Sequence, residues 1–233
     1  MKAFFSIITL LCLSVFSGDA VASAFGFGTV STISVIAGSG LILGYCGVFN
    51  GVMPVTLAAL GGPSGTSQNI GGTKSIMYYA KTDDFTTIQE PSDYGSITTF
   101  ASAVAVATAH VFATGGRFYS IYCTRDKGSV KCERQGEEDG YSFKYSAKIF
   151  YPGSEQDVLG FLRYVPYQKF VTLHPTGGGV VHQIGTADFP ASMSGTFDAG
   201  EGATALCGSE IMVEATTLGP INYTGTISET PAP

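Results

Sequence analysis

Three histidines offer the first chance of chemistry: His110, His174 and His182. His174 and His182 flank Pro175-Thr176-Gly177-Gly178-Gly179. A glycine-rich turn of this kind can fold two imidazoles together as metal ligands. A site of two histidines is weak, and no Asp, Glu or Cys stands nearby at a recognisable ligand spacing. The expectation is no metal and no cofactor, with His174 and His182 flanking a surface loop. His110 lies in an apolar stretch and reads as a strand residue with a hydrogen-bonded ring. The glycines at 177–179 lack the Gly-Lys-Ser/Thr and the following helix of a phosphate loop. Ala191-Ser192-Met193-Ser194-Gly195 lacks the first glycine of a nucleophile elbow. The paired carboxylates Asp83-Asp84 and Glu137-Glu138-Asp139 sit in polar, glycine-flanked segments and read as solvated loops. No residue is assigned a catalytic role, and the expectation is that the protein is not an enzyme.

The cysteines suggest structure rather than catalysis. Cys12 falls in the first apolar run, leaving Cys46, Cys123, Cys132 and Cys207. There is no Cys-x-x-Cys motif. Four cysteines in an exported chain allow three pairings into two disulfides. A hairpin over residues 118–135, turning at Lys127-Gly128, would set Cys123 opposite Cys132 in a non-hydrogen-bonded pair, close enough to bridge. Cys46–Cys207 would then join the ends of the domain.

Export itself is expected from the start of the chain. Met1-Lys2 precedes an apolar run over residues 3–16, and Ala22-Ser23-Ala24 supplies the small residues of a cleavage site. This is the pattern of a signal peptide at 1–24, too short to span a bilayer. Lys plus Arg number 12 against 18 Asp plus Glu, a net charge of −6. That balance supplies no basic field for nucleic acid.

The elements that would position these residues are mostly strands. Period-two alternation marks residues 144–151, 209–215 and 221–227, the last two forming a C-terminal hairpin. Further strands are expected at 27–36, 52–60, 75–81, 101–112, 159–165, 170–173 and 180–187. A short helix is expected near 154–161, with Ser154 as cap. About ten short strands with glycine-rich connections imply an all-β protein, a β-sandwich or jelly-roll-like domain over 25–227, followed by a disordered tail at 228–233. Residues 25–73 carry no charge at all. They read as small-residue strands buried in the domain or against a neighbour; Pro54 and Asn50 argue against a membrane span.

Three stretches carry a resemblance: Phe25-Gly26-Phe27-Gly28-Thr29-Val30, the run from Ala113 through Thr114-Gly115 to Tyr119-Ser120-Ile121, and Gly219-Pro220-Ile221-Asn222-Tyr223-Thr224-Gly225-Thr226-Ile227. Together they resemble a family of secreted bacterial pilin-like proteins, similar in outline to the spore-coat U and fimbrial-subunit β-sandwiches. Against that pattern, residues 82–98 and 133–141 look like insertions. The resemblance implies a secreted, periplasmic or cell-surface structural or adhesive subunit and no catalytic residue. Self-association would run through the N-terminal strand, where Phe25, Phe27, Ile33, Val35 and Ala37 alternate with small or polar residues. Two other readings compete. A secreted hydrolase or carbohydrate-binding protein would use Tyr141, Tyr145, Tyr151, Tyr164 and Tyr167 as a sugar groove. A membrane-associated protein would use residues 25–73.

Overall fold

A computed structural model describes Leu60 and residues 70–233, apart from Asp139, Ala203 and the side chain of Tyr94. The signal segment, the expected strand at 27–36, nearly all of that at 52–60, Cys46 and most of the uncharged stretch lie outside the described residues.

The described chain is mostly β and forms a two-sheet sandwich. The larger sheet has six strands. Its centre is β1 (Ile76–Lys81), β8 (Phe170–Pro175) and β9 (Val181–Ile184), and its edges are β3 (Ala105–Val106), beside β12 (Asn222–Tyr223), and β5 (Tyr119–Tyr122), in the order β3-β12-β9-β8-β1-β5. The smaller sheet has the order β10-β11-β7-β6, from β10 (Ser192–Asp198), β11 (Gly208–Thr217), β7 (Ser142–Pro152) and β6 (Ser129–Gln135). A two-stranded ribbon pairs β2 (Phe85–Thr87) with β4 (Val111–Phe112).

Alternation along each strand assigns its side chains to layers. Met77 and Tyr79 point between the sheets, while Tyr78 and Ala80 point to the far side of the larger sheet. The inter-sheet core is made by Met77, Phe170 and Ile184 from one sheet and Tyr145, Ile149, Met193, Ile211 and Val213 from the other. The far face is covered as well. Leu173, Phe118, Ile221 and Tyr223 form a second buried cluster there, with Phe85 and Phe112 of the ribbon and Ile227 of the tail packed against it. Burial on both faces explains why all six residues of β8 are buried, since only a strand covered twice has no solvent side.

The outer face of the smaller sheet is solvated. Lys144 pairs with Glu214 at 2.9 Å, and Lys148 pairs with Glu210, diagonally across β7 and β11. Such exposed pairs contribute only tenths of a kcal/mol each, about 0.2–1. They keep the face polar.

Several expectations are corrected. Residues 118–135 are not a hairpin: β5 pairs with β1 in the larger sheet, and β6 pairs with β7 in the smaller. The segment 123–128 is an arch between sheets, with Asp126 at φ 61° in its turn. An arch lets Ile121 and Cys123 face Val130 and Cys132 across the core, which a hairpin within one sheet does not. The C-terminal hairpin is absent for a related reason, because β11 pairs with β7 and β10 whereas β12 pairs with β9 and β3. Residues 159–165 are helical rather than extended. Helix α1 (Gln156–Tyr164) has Glu155, not Ser154, at its N-cap. Val158, Phe161, Leu162 and Val165 have the i, i+3, i+4, i+7 spacing of one helical face, and Phe161 and Leu162 pack on the core. Residues 101–112 hold a turn and two strands of two residues each.

The tail is ordered by hydrogen bonds. Gly115 N–H donates to Ala232 O at 2.9 Å, Ala232 N–H to Gly116 O at 3.0 Å, and Phe118 N–H to Ser228 O at 2.9 Å. Residues 228–232 therefore lie along the segment leading into β5, where a disordered tail was expected.

Candidate functional site

The two histidines separated by the glycine turn do meet, but inside the sandwich. β8 and β9 form a hairpin in which His174 is directly opposite His182. The turn is closed by Thr176 N–H and Oγ1, both donating to Val180 O at 2.8 Å. His174 is 1% exposed, so the surface-loop expectation fails for it. Strand parity decides this: His174, Thr172 and Phe170 share the face that looks into the core. Thr172 Oγ1 donates to Ile184 O at 3.4 Å and lies 3.1 Å from His174 Nε2. Its oxygen is thus placed to accept an Nε2–H of His174. Tyr145 Oη lies 3.5 Å from His182 Nδ1 and accepts the Ile221 N–H at 2.9 Å. Burial, with His182 beside it, pulls the His174 pKa down to about 3, and burial also lowers that of His182. Both rings are neutral near pH 7. Among the described residues no group of three or more His, Cys, Asp or Glu is arranged to hold a metal ion. The cluster is a satisfied polar seam in the core.

His110 has a different task. Its ring stacks on Tyr223 with centroids 4.8 Å apart and meets Phe85 and Phe118 edge-on. Its Nδ1 accepts the Gln89 N–H at 3.0 Å. Gln183, fully buried in β9, donates from Nε2 to Gln89 O at 3.2 Å. Gln89 is therefore gripped on both its backbone groups. Glu90 continues the attachment, its Oε1 accepting the Ala187 N–H at 2.9 Å. Burial lowers the His110 pKa to about 4, opposed in part by a hydrogen bond donated to Gln183, so the ring is neutral near pH 7 and its Nδ1 is an acceptor.

These contacts fix one wall of a cleft of about 550 Å³. Residues 90–104 form that wall, facing the turn at 186–189 and the loop at 218–221, with Phe143 of β7 also in the lining. Its floor includes Ile97 and Ile221, each 4% exposed. Phe100, Phe189 and Leu218 leave large apolar surfaces open at its margin. The charged lining residues are Glu90, Asp93 and Asp188, and none of the described lining residues is basic. A concave, mainly apolar surface with a few placed polar groups is the usual form of a small-ligand site. Sequence reasoning missed it. Phe100, Phe189 and Leu218 are isolated apolar residues in loops of no recognisable motif; only the loop length of residues 88–104 was a signal.

The five tyrosines differ in exposure, and Tyr141, Tyr164 and Tyr167 are open to solvent. Tyr145 is in the core; Tyr141 lies under Arg134, and Tyr164 under Lys81. Tyr141 precedes β7 and Tyr151 lies near its far end.

Cys123, Cys132 and Cys207 carry free thiols. Cys123 and Cys132 enter the same core cluster from opposite sheets, a different relation from the expected hairpin pair. Burial pushes the Cys123 thiol up to about 12 and raises that of Cys132. Cys207 precedes β11 and is half-buried, and its expected partner Cys46 lies outside the described residues.

No helix among the described residues is long and apolar enough to cross a membrane. Comparison with protein-family models, curated proteins and solved structures finds no match. The class defined by these observations is a two-sheet β-sandwich with an aromatic second layer and a loop-built cleft.

Proposed function

We propose that the protein is an exported structural or adhesive subunit, of the pilin-like kind, that joins a second copy by strand addition at β5. The observation that carries this reading is the contrast between two edge strands. β5 has the sequence Tyr119-Ser120-Ile121-Tyr122, is uncharged, and among the described residues pairs only with β1. β6, one edge of the other sheet, carries Lys131, Glu133 and Arg134. Charged residues are the ordinary means of blocking an edge, and β5 has none. An extended segment added there gains main-chain hydrogen bonds and places alternate side chains in the layers on either side. Residues 25–37 of a neighbouring copy have that alternation. Head-to-tail addition of this kind does not close and yields fibres.

The test is light scattering and electron microscopy on the processed chain, with two variants: deletion of residues 25–35, and Ser120→Lys on β5. Concentration-dependent assemblies are expected for the unmodified chain, and folded monomers for both variants. A chain that stays monomeric at high concentration, or assemblies that survive both changes, would overturn the reading.

A further inference from the structure

We infer that the cleft between residues 90–104, 186–189 and 218–221 binds a small organic cation carrying an apolar body, such as a quaternary ammonium or a protonated amine. This is independent of strand addition at β5, which lies at the opposite edge of the larger sheet from β3 and β12, the strands that follow the lining residues Val104 and Ile221.

Three observations combine. The volume, about 550 Å³, is that of a small-molecule site, which typically spans roughly 300–1,000 Å³. The interior is apolar and partly aromatic: Phe100, Phe143 and Phe189 line it, and Phe100 and Phe189 keep 40% and 44% of their surface exposed. Exposed large apolar groups gathered about one concavity mark a binding surface, whereas scattered ones do not. The only charges among the described lining residues are carboxylates, on Glu90, Asp93 and Asp188. Ring faces and carboxylates both attract positive charge, and a cation whose charge is spread over methyl groups loses little hydration on entering an apolar cleft. An anion meets repulsion there, and a neutral ligand gains only the apolar contact.

The cleft is also built in advance. His110 and Gln183 hold Gln89, Glu90 holds Ala187, and the hydroxyl of Thr186 accepts the Phe189 N–H at 3.1 Å. Binding therefore orders little new chain, which reduces its entropic cost.

The experiment compares hexyltrimethylammonium, hexanol and hexanoate by calorimetric titration of the full processed chain at low salt. Each is followed by chemical shifts of fluorine-labelled phenylalanine. The ammonium should bind about five- to tenfold more tightly than hexanol, hexanoate should bind most weakly, and Phe189 should report contact. In Asp93→Asn/Asp188→Asn the preference for the ammonium over hexanol should shrink. Both positions are exposed, so this variant tests charge without disturbing the core. Leu218→Ala should weaken both ligands together. Equal binding of ammonium and hexanol by the unmodified chain would show an apolar cavity without charge selection and overturn the proposal. So would absence of binding, or ammonium binding that neither variant alters.

Discussion

His110 and His174 bind their protons less readily in the folded chain than out of it. Their folded-state pKa values, about 4 and about 3, lie below the ordinary 6.5. Between those limits the unfolded chain holds more protons. The stability they contribute is complete above about pH 6.5 and is lost as pH falls toward 4 and then 3. Each histidine should contribute a slope of up to about 1.4 kcal/mol per pH unit in that window. Urea unfolding at a series of pH values should show it, and His174→Leu should remove roughly half of that slope. Protonation of His110 also removes the acceptor for Gln89 N–H, so hydrogen exchange in residues 88–104 should accelerate in acid before the rest of the sandwich opens. The thiols follow the same logic of burial. Cys123 is 1% exposed, and in the reduced, folded chain it should react with iodoacetamide only at the rate of unfolding, as peptide mass mapping will show. The histidine environments were only half legible in the sequence. The Thr-Gly-Gly-Gly turn announced that His174 and His182 would meet. Which face they took depended on the parity of β8, and a strand buried on both sides has no alternation from which parity can be read.

Among the elements, those with one wet face were the plainest. Residues 144–151 and 209–215 alternate because β7 and β11 expose Lys144, Lys148, Glu210 and Glu214 on one side and bury Ala147, Ile149, Ile211 and Val213 on the other. Pairing was less legible. Adjacent strands with a short connection suggest a hairpin, yet both such pairs cross between sheets, because only the crossing gives their apolar sides a facing layer. The arch at 123–128 sets Cys123 and Cys132 on opposite walls of one core. At the end of β9, Gly185 has φ 100°, and a Cβ there would lie 2.6 Å from Phe170 O and 2.9 Å from Ala191 N. Gly185→Ala should therefore cost at least about 2 kcal/mol, measured by thermal or urea unfolding. The tail was misread because Ser228 to Pro233 has no apolar pattern; its order comes from main-chain hydrogen bonds, which leave no trace in side-chain type.

For the whole molecule, the feature with the widest consequence is the docking of the C-terminal residues along the segment before β5. The larger sheet is assembled from distant parts of the chain: β1 lies beside β8, and β12 beside β3 and β9. Its second layer is finished only by Ile227 and the hydrogen bonds of Ser228 and Ala232. Pairings of such long sequence separation form slowly, on a timescale of roughly milliseconds to seconds. A chain emerging from its N-terminus thus lacks this sheet's closing strand until Asn222–Tyr223 has been made. Removing residues 228–233 should slow refolding in stopped-flow experiments only if the tail docks before the rate-limiting step. If it docks afterwards, the same truncation should leave the folding arm unchanged and accelerate unfolding alone. Residues 228–232 act, on this view, as a latch across the second layer of the larger sheet.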